Sequence, residues 1–125
     1  MHNLIKCIRD NRLTTLKGIP GIGKTTIARN LGAHLAEREV FQDGIIYISM
    51  QGFDQASQLV QIMFQKVVKV KNQSKQQNSK ESLLDNRLVM EENILKTLKD
   101  CKVLLIIDNL ESVLRNDVND VRNFL

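Results

Sequence analysis

Three short segments of the chain are rich in β-branched and aliphatic residues, and they predict β-strands at about 12–17, 45–50 and 102–108. Between these segments, apolar residues recur at the spacing of one helix face. This spacing predicts helices at about 2–10, 24–38, 54–70, 83–99 and 112–125. Strands that alternate with helices predict an α/β fold of three layers, with a parallel sheet between helices on both faces.

Two of the predicted helices have apolar stripes that are expected to face the sheet. In the helix that Asp54 is expected to cap, the stripe consists of Leu59, Ile62, Met63, Val67 and Val70. In the helix over 83–99, the residues expected on one face are Leu84, Leu88, Leu95 and Leu98.

Residues 71–82 contain no apolar side chain and form a polar, low-complexity segment. Such a segment buries too little apolar surface to offset the entropy that is lost on ordering. We therefore predict a flexible insertion at the surface of the domain. Its lysines belong to a series from Lys66 to Lys80, which fits either a solvated loop or contact with an acidic partner.

The composition is that of a globular domain, because 42% of the residues are hydrophobic and 26% are charged. The 125 residues suffice for one small domain or for part of a larger one. The net charge of +4 comes mainly from residues 51–80, which have five Lys and one Asp. With four Phe, one Tyr and no Trp, the chain has few rings for stacking on bases, which argues against a nucleic-acid partner.

Cys7 and Cys101 are far apart in the sequence and lack the spacing of metal ligands. They are expected to be reduced thiols of an intracellular, cytoplasmic protein. No apolar run reaches the length of a membrane span, and residues 1–6 do not resemble a secretory signal. No membrane partner is therefore expected.

Residues 18–26 read GIPGIGKTT and fit the phosphate-binding loop, or Walker A motif, G-x-x-x-x-G-K-[ST]. Glycines let the backbone approach a polyphosphate closely, so that successive N–H groups form an anion nest. Lys24 adds a positive charge for the β- and γ-phosphates, and Thr25 offers a hydroxyl to Mg²⁺. The following helix points its positive dipole end at the same phosphates. The predicted nucleotide-binding residues are Gly18, Gly21, Ile22, Gly23, Lys24, Thr25 and Thr26.

A second motif ends the third predicted strand, where five apolar residues at 103–107 precede Asp108. Such a run is typical of a strand buried on both faces of a parallel sheet, and ligands bind at the carboxyl ends of these strands. This Walker B pattern predicts that Asp108 and Thr25 hold Mg²⁺. Many ATPases place Glu directly after this Asp, but Asn109 occupies that position here. Glu111 is the candidate catalytic residue that polarises water, and it fits equally a solvated acid in the first turn of a helix.

Three stretches together resemble the signal-transduction ATPases with numerous domains (STAND), which include the NB-ARC proteins. These stretches are LTTLKGIPGIGKTTIARNLGAHL, FQDGIIYISM and VLLIIDNLESVL. The resemblance implies a signalling switch that binds ATP or ADP with Mg²⁺ and reaches protein partners through flanking domains. It gives the phosphate-loop roles to Gly21, Gly23, Lys24, Thr25 and Thr26, and the Walker B role to Asp108.

The same resemblance implies that the strand ending at Asp108 lies beside the strand at 12–17, with the strand at 45–50 outside it. The Arg-bearing sensor strand and the winged helix of the family would follow residue 125. The chain is therefore expected to be the amino-terminal half, residues 1–125, of a P-loop nucleotide-binding domain. Whether it hydrolyses ATP is left open by the sequence.

Two other functions remain open at this stage. A phosphoryl-transfer enzyme such as a small-molecule kinase would share the phosphate loop, but the sequence has no recognisable acceptor site or Arg-rich lid. A basic module that binds nucleic acid through residues 66–80 would show affinity that falls steeply with salt. A GTPase is disfavoured because the chain has no N-K-x-D motif.

Overall fold

The computed structural model describes residues 1–72 and 87–124. Helices and strands follow one another in the order expected of an α/β chain. In sequence they are α1 (His2–Asp10), α2 (Lys24–Glu37), β1 (Gly44–Ser49), α3 (Ala56–Asn72), α4 (Arg87–Lys99), β2 (Val103–Asp108), α5 (Glu111–Asn116) and α6 (Val118–Phe124).

The two strands of the described residues pair in parallel. Their register runs from Gly44 opposite Val103 to Ser49 opposite Asp108. Because the strands are parallel, both carboxyl ends lie at the same edge of the sheet. This pairing confirms that the segments predicted at 45–50 and 102–108 are neighbours.

Helices pack on both faces of the sheet, as the alternation of strands and helices predicts. Ile46 and Ile48 of β1 are buried on one face, in the core that α3 and α4 share. On the other face, Ile45 of β1 and Ile106 of β2 lie near Gly32 of α2. A Cβ added to Gly32 would be 3.1 Å from Ile106 Cδ1, so the missing side chain permits α2 to pack close to the sheet.

The main core lies between β1, α3, α4, α5 and α6. Its buried residues are Ile46, Ile48, Met50, Ala56, Leu59, Val60, Met63, Val67, Ile94, Val113 and Val121. The stripe predicted for α3 is therefore confirmed at Leu59, Met63 and Val67, and Ile62 is half-buried beside it. This core fixes the position of β1, and through β1 that of the end of β2.

The strand predicted at 12–17 is wrong for this structure, because these residues have no regular secondary structure. The Thr14 hydroxyl donates to the Cys7 carbonyl at 3.3 Å, which ties the segment to α1. Leu13 and Leu16 are 64% and 39% exposed. The segment thus gains little of the apolar burial that would drive it onto the sheet. The expected place of a strand at 12–17 beside β2 is wrong for the same reason.

The buried face of α4 shares only Leu98 with the predicted face among the described residues. Ile94 is fully buried, and Met90 and Leu98 pack against the same core, so the prediction is confirmed at Leu98. By contrast, Leu88 and Leu95 are 67% and 54% exposed. Both sets recur at helical spacing, so the sequence pattern could not distinguish them, and the packing of α4 against α3 decides between them.

The single helix predicted over 112–125 is divided into α5 and α6 at Asp117, whose φ of −132° and ψ of 47° are not helical. The Asp117 carboxylate accepts a hydrogen bond from the N–H of Ala56, the first residue of α3, at 3.0 Å. The predicted cap, Asp54, instead donates its own N–H to Gln58 Oε1 at 3.2 Å. A residue distant in the sequence therefore caps α3.

The flexible insertion predicted at 71–82 lies outside the described residues, except for its first two positions, which end α3. Leu84 also lies outside them. In the lysine series, Lys66 donates to the backbone carbonyl of Tyr47 at 2.5 Å. This lysine is therefore engaged within the fold, against β1.

Candidate functional site

A glycine loop at residues 18–23 leads directly into α2. Gly21 and Gly23 have φ values of 81° and 94°, in the left-handed region that side chains rarely adopt. Gly23 is the N-cap of α2, and its carbonyl accepts the N–H of Ile27 at 2.9 Å. Because glycine has no side chain to cap the helix, the first N–H groups of α2 remain for another acceptor.

Lys24 is the first residue of α2, and its side chain reaches back across the glycine loop. Nζ donates to the carbonyl of Gly18 at 2.9 Å and to that of Ile19 at 3.2 Å. An ammonium has three N–H donors, so one remains for a further acceptor. A Cβ added to Gly18 would be 3.0 Å from Ile22 Cγ2, which explains why the tight loop begins with glycine.

The carboxylate of Asp108, at the end of β2, accepts hydrogen bonds from two groups. Oδ2 accepts the Tyr47 hydroxyl at 2.5 Å, and Oδ1 accepts the N–H of Asn109 at 3.0 Å. Thr25, in the first turn of α2, lines the same cavity as this carboxylate. The shared cavity brings the two sequence motifs together.

These contacts determine the charge of Asp108. Partial burial by itself would raise the pKa of Asp108, because burial disfavours the charged carboxylate. The hydrogen bonds from Tyr47 and from the N–H of Asn109, together with the neighbouring Thr25 hydroxyl and the charge of Arg29, outweigh burial and lower the pKa. Burial and the bond to Asp108 raise the pKa of the Tyr47 hydroxyl, which keeps it a proton donor. The carboxylate is thus held in its ionised form.

Arg29 lies one helical turn beyond Thr25 on α2. Its guanidinium carbon is 5.5 Å from the centroid of the Tyr47 ring, within the range of a cation–π contact. Tyr47 precedes Ser49 by two residues, and Ser49 is the register partner of Asp108. Since side chains alternate along a strand, Tyr47 and Asp108 lie on the same face of the sheet, the face covered by α2.

A cavity of about 370 Å³ opens where α2 begins, where both strands end and where α5 begins. The side chains that line it include Thr25, Arg29, Ser49, Asp108, Asn109 and Glu111. The cavity therefore contains the acidic end of β2, a hydroxyl from the start of α2 and one arginine. Oxygen donors and a cation side by side can bind a metal ion together with an anion.

The structure brings some of the predicted site residues together at this cavity, namely Thr25, Asp108 and Glu111. The adjoining loop and helix start contain the others, which are Gly18, Gly21, Ile22, Gly23, Lys24 and Thr26. Glu111 is exposed and begins α5. That position suits both an acid in the first turn of a helix and a group that orients water.

Sequence reasoning missed Tyr47 and Arg29. The alternation of the second strand places Tyr47 on the same face as Ser49, and Ser49 pairs with Asp108 only once the register is known. Arg29 follows Thr25 by four residues, so helical spacing alone puts the two on one face of α2. The contact between Arg29 and Tyr47 requires α2 and β1 to be packed together.

A glycine loop at the start of a helix, beside the acidic carboxyl end of a parallel strand, is the arrangement of a P-loop NTPase. The family model described as NB-ARC domain matches residues 1–118. The chain belongs to the NB-ARC family, and it is a nucleotide-binding domain of the STAND class of P-loop NTPases. The match confirms the resemblance seen in the sequence. No curated protein and no solved structure matches the chain.

Two further features concern residues 1–72 and 87–124 alone. Within these ranges, none of the helices combines the length and the apolar character needed to cross a membrane. The same ranges contain no group of three or more His, Cys, Asp or Glu side chains that could hold a metal ion.

Proposed function

We propose that this chain is the phosphate-binding part of a signalling switch that binds ATP or ADP with Mg²⁺. Membership of the NB-ARC family supports nucleotide binding. The observation that carries the finer proposal is that Thr25 and Asp108 line one cavity, where the helix after the glycine loop meets the end of β2. This position supports a site in which the proposed phosphate-binding and metal-binding groups act together.

The phosphates bind at the glycine loop and at the start of α2. Backbone N–H groups of the loop and the positive end of the α2 dipole favour anions there. Lys24 now donates to two neutral carbonyls, those of Gly18 and Ile19. A phosphate oxygen is a strong acceptor for an ammonium, and the third N–H of Lys24 is proposed to donate to the nucleotide.

Thr25 and Asp108 fit Mg²⁺. This ion takes oxygen ligands and is usually bound by one or two carboxylates together with the phosphates of a substrate. The Asp108 carboxylate has a lowered pKa and lines the same cavity as the Thr25 hydroxyl, so an ionised oxygen donor and a neutral one face one space. The chemistry that Mg²⁺ supplies when bound is neutralisation of phosphate charge.

The switch is proposed to hold nucleotide for long periods and to act on protein partners through other parts of the protein. Glu111 is proposed to orient water, because it lines the cavity with Thr25 and Asp108. The rival reading of the basic segment as a nucleic-acid site gains no support from Lys66, whose ammonium donates to the Tyr47 carbonyl.

The test of this proposal is nucleotide binding by a Lys24→Ala variant. Loss of a charge-assisted hydrogen bond costs about 1.5–3 kcal/mol, which corresponds to roughly a 10- to 150-fold weaker affinity. A fluorescent ADP analogue is titrated into the wild-type protein and into the variant at fixed Mg²⁺. We expect the dissociation constant of the variant to increase by a factor in that range.

Lys96→Ala is the matched control, because Lys96 is an exposed lysine on α4. It removes the same charge from the opposite side of the sheet, and its dissociation constant should equal that of the wild type. If Lys24→Ala and Lys96→Ala bind ADP with the same affinity, the phosphate role of Lys24 is wrong. If the wild type binds no nucleotide, the proposed function is wrong as a whole.

A further inference from the structure

Tyr47 makes a contact to the end of β2 that neither of the two phosphate-site motifs includes. Its hydroxyl donates to Asp108 Oδ2, while Oδ1 accepts the N–H of Asn109 at 3.0 Å. With a donor on each oxygen, the carboxylate group cannot turn freely about its bond to Cβ. The orientation of the Asp108 carboxylate is therefore set by the adjacent Asn109 and by Tyr47, which is distant in the sequence.

The carboxylate has capacity left for a further partner. A carboxylate has about four lone-pair sites, and Tyr47 and Asn109 donate to two of them, one on each oxygen. One site therefore remains on each oxygen, in the cavity that Thr25 also lines. A cation or its bound water beside Thr25 can thus be reached without displacing Tyr47.

Arg29 holds the ring of Tyr47 from the helix side. Its guanidinium carbon lies 5.5 Å from the ring centroid, and it belongs to the same helix as Thr25. Because Arg29 restricts the Tyr47 ring from one face, the hydroxyl can reach few other acceptors. Its hydrogen bond to Asp108 is therefore favoured. The contacts from Arg29 to Tyr47 and from Tyr47 to Asp108 thus link α2 to the end of β2.

We propose that Tyr47 is a positioning residue, which orients the Asp108 carboxylate toward a divalent cation beside Thr25, and that Arg29 keeps the Tyr47 ring in place. This inference rests on the proposed function, since it concerns the Mg²⁺ that accompanies the nucleotide. In this role Tyr47 acts through Asp108, to which its hydroxyl donates.

The test is the Mg²⁺ dependence of ADP binding in a Tyr47→Phe variant. Phe keeps the ring and its contact with Arg29 but removes the hydroxyl. Loss of a hydrogen-bond partner behind a metal ligand typically lowers metal affinity by about 10- to 100-fold. We expect the Mg²⁺ concentration that half-maximally enhances ADP binding to increase by a factor in that range. An unchanged Mg²⁺ midpoint overturns the inference.

A double-mutant comparison with Asp108→Asn separates positioning from a general effect on the fold. In the Asp108→Asn background, adding Tyr47→Phe should not shift the Mg²⁺ midpoint further, because the group through which Tyr47 acts has changed. An equal shift in both backgrounds overturns the inference. Ser57→Ala removes a hydroxyl from α3, away from Asp108, and should behave as the wild type.

Failure of the inference can be distinguished from failure of the proposed function. If the wild type binds no ADP at any Mg²⁺ concentration, both are overturned. If it binds ADP and the midpoint of Tyr47→Phe equals that of the wild type, only the positioning role is overturned. The melting temperature of each variant, followed by circular dichroism, shows whether the comparison is made between folded proteins.

Tyrosine fluorescence tests the same contact without changing Tyr47. The chain has one Tyr and no Trp, so its intrinsic emission comes from Tyr47 apart from a weak contribution of Phe. A carboxylate that accepts a hydrogen bond from the phenol quenches tyrosine emission. We therefore expect brighter emission from folded Asp108→Asn than from the wild type. Equal emission from the two proteins overturns the contact on which the proposal depends.

Discussion

At the scale of single residues, Asn109 determines how the chain leaves β2. Its φ of 59° lies in the left-handed region, where Asn is several-fold enriched because its short polar side chain tolerates that conformation. The N–H of Asn109 donates to Asp108 Oδ1, and two residues later Glu111 starts α5 at the cavity. The backbone therefore supplies a reason for Asn at the position where many ATPases have Glu.

From these residues we predict that the chain turns over ATP more slowly than about once per several minutes, as unassisted switch NTPases do. Asn109 cannot take a proton from water. Among the described residues that line the cavity, the arginine is Arg29, and its guanidinium contacts the ring of Tyr47. It is therefore engaged with Tyr47 and not with the transferring phosphate. A missing catalytic arginine costs about 10³–10⁵ in rate. Single-turnover hydrolysis of radiolabelled ATP measures the rate.

The role of Glu111 is tested in the same assay. Glu111→Gln keeps the size of the side chain and removes its charge, so the residual rate should fall if Glu111 orients the water. Glu37→Gln, at the last residue of α2, is the control and should keep the wild-type rate. A rate on the order of one turnover per second, abolished by Asp108→Asn, would contradict the switch and favour a phosphoryl-transfer enzyme.

At the scale of elements, α4 illustrates how packing selects one face of a helix. Ile94 is fully buried against the core, whereas its neighbour Leu95 is 54% exposed. The N-terminal end of the same helix is linked to α6 by Arg87, which contacts Glu91 at 2.7 Å and Asp120 at 2.9 Å. Exposed ion pairs of this kind contribute little, so the apolar contacts of Ile94, Met90 and Leu98 with the core stabilise α4 more than these ion pairs do.

We predict that Ile94→Ala destabilises the fold by about 2–5 kcal/mol, because it removes buried methyl groups and leaves a cavity. Leu95→Ala is the matched control in the next position, with an expected change within about 0.5 kcal/mol. The midpoint of urea unfolding, followed by circular dichroism, measures both. Equal losses of stability in the two variants would mean that α4 does not bury the face that contains Ile94. A larger loss for Leu95→Ala would mean that α4 buries the face predicted from its leucines.

At the scale of the whole molecule, the layers place the candidate site at one edge of the sheet. The carboxyl ends of β1 and β2 and the start of α2 meet there, because α2 covers one face of a parallel sheet. The core between β1, α3 and α4 lies on the other face. The site is thus built on elements that a separate core holds together.

We predict that replacing residues 71–82 by a short Gly/Ser linker changes neither the melting temperature nor the ADP affinity. The segment has no apolar side chain to contribute to the core. Replacing α5, residues 111–116, by a linker of the same kind is the contrasting control, because it removes the buried Val113. A loss of several degrees in the first variant, or of ADP binding, would show that the segment packs or contacts the ligand.

The sequence by itself determined the glycine loop, the start of α2 at Lys24 and the acidic end of the strand at Asp108. These features depend on local chemistry. Gly21 and Gly23 adopt positive φ values that other residues avoid, and an apolar run of five residues is favoured as a buried strand wherever it lies. The same is true of β1, whose β-branched residues predicted a strand. Its place beside β2 was implied by the family resemblance and is confirmed by the observed register.

Only the tertiary structure decided the features that depend on residues distant in sequence. Hydrophobic burial is not directional, so the sequence by itself favours neither apolar stripe of α4. The packing of α4 against α3 decides which stripe is buried. The cap of α3 by Asp117, the irregular backbone at 12–17 and the bond from Tyr47 to Asp108 likewise depend on how elements meet. A side chain's partner across the fold is not encoded in its own neighbourhood, and therefore the contact that orients Asp108 became visible only in three dimensions.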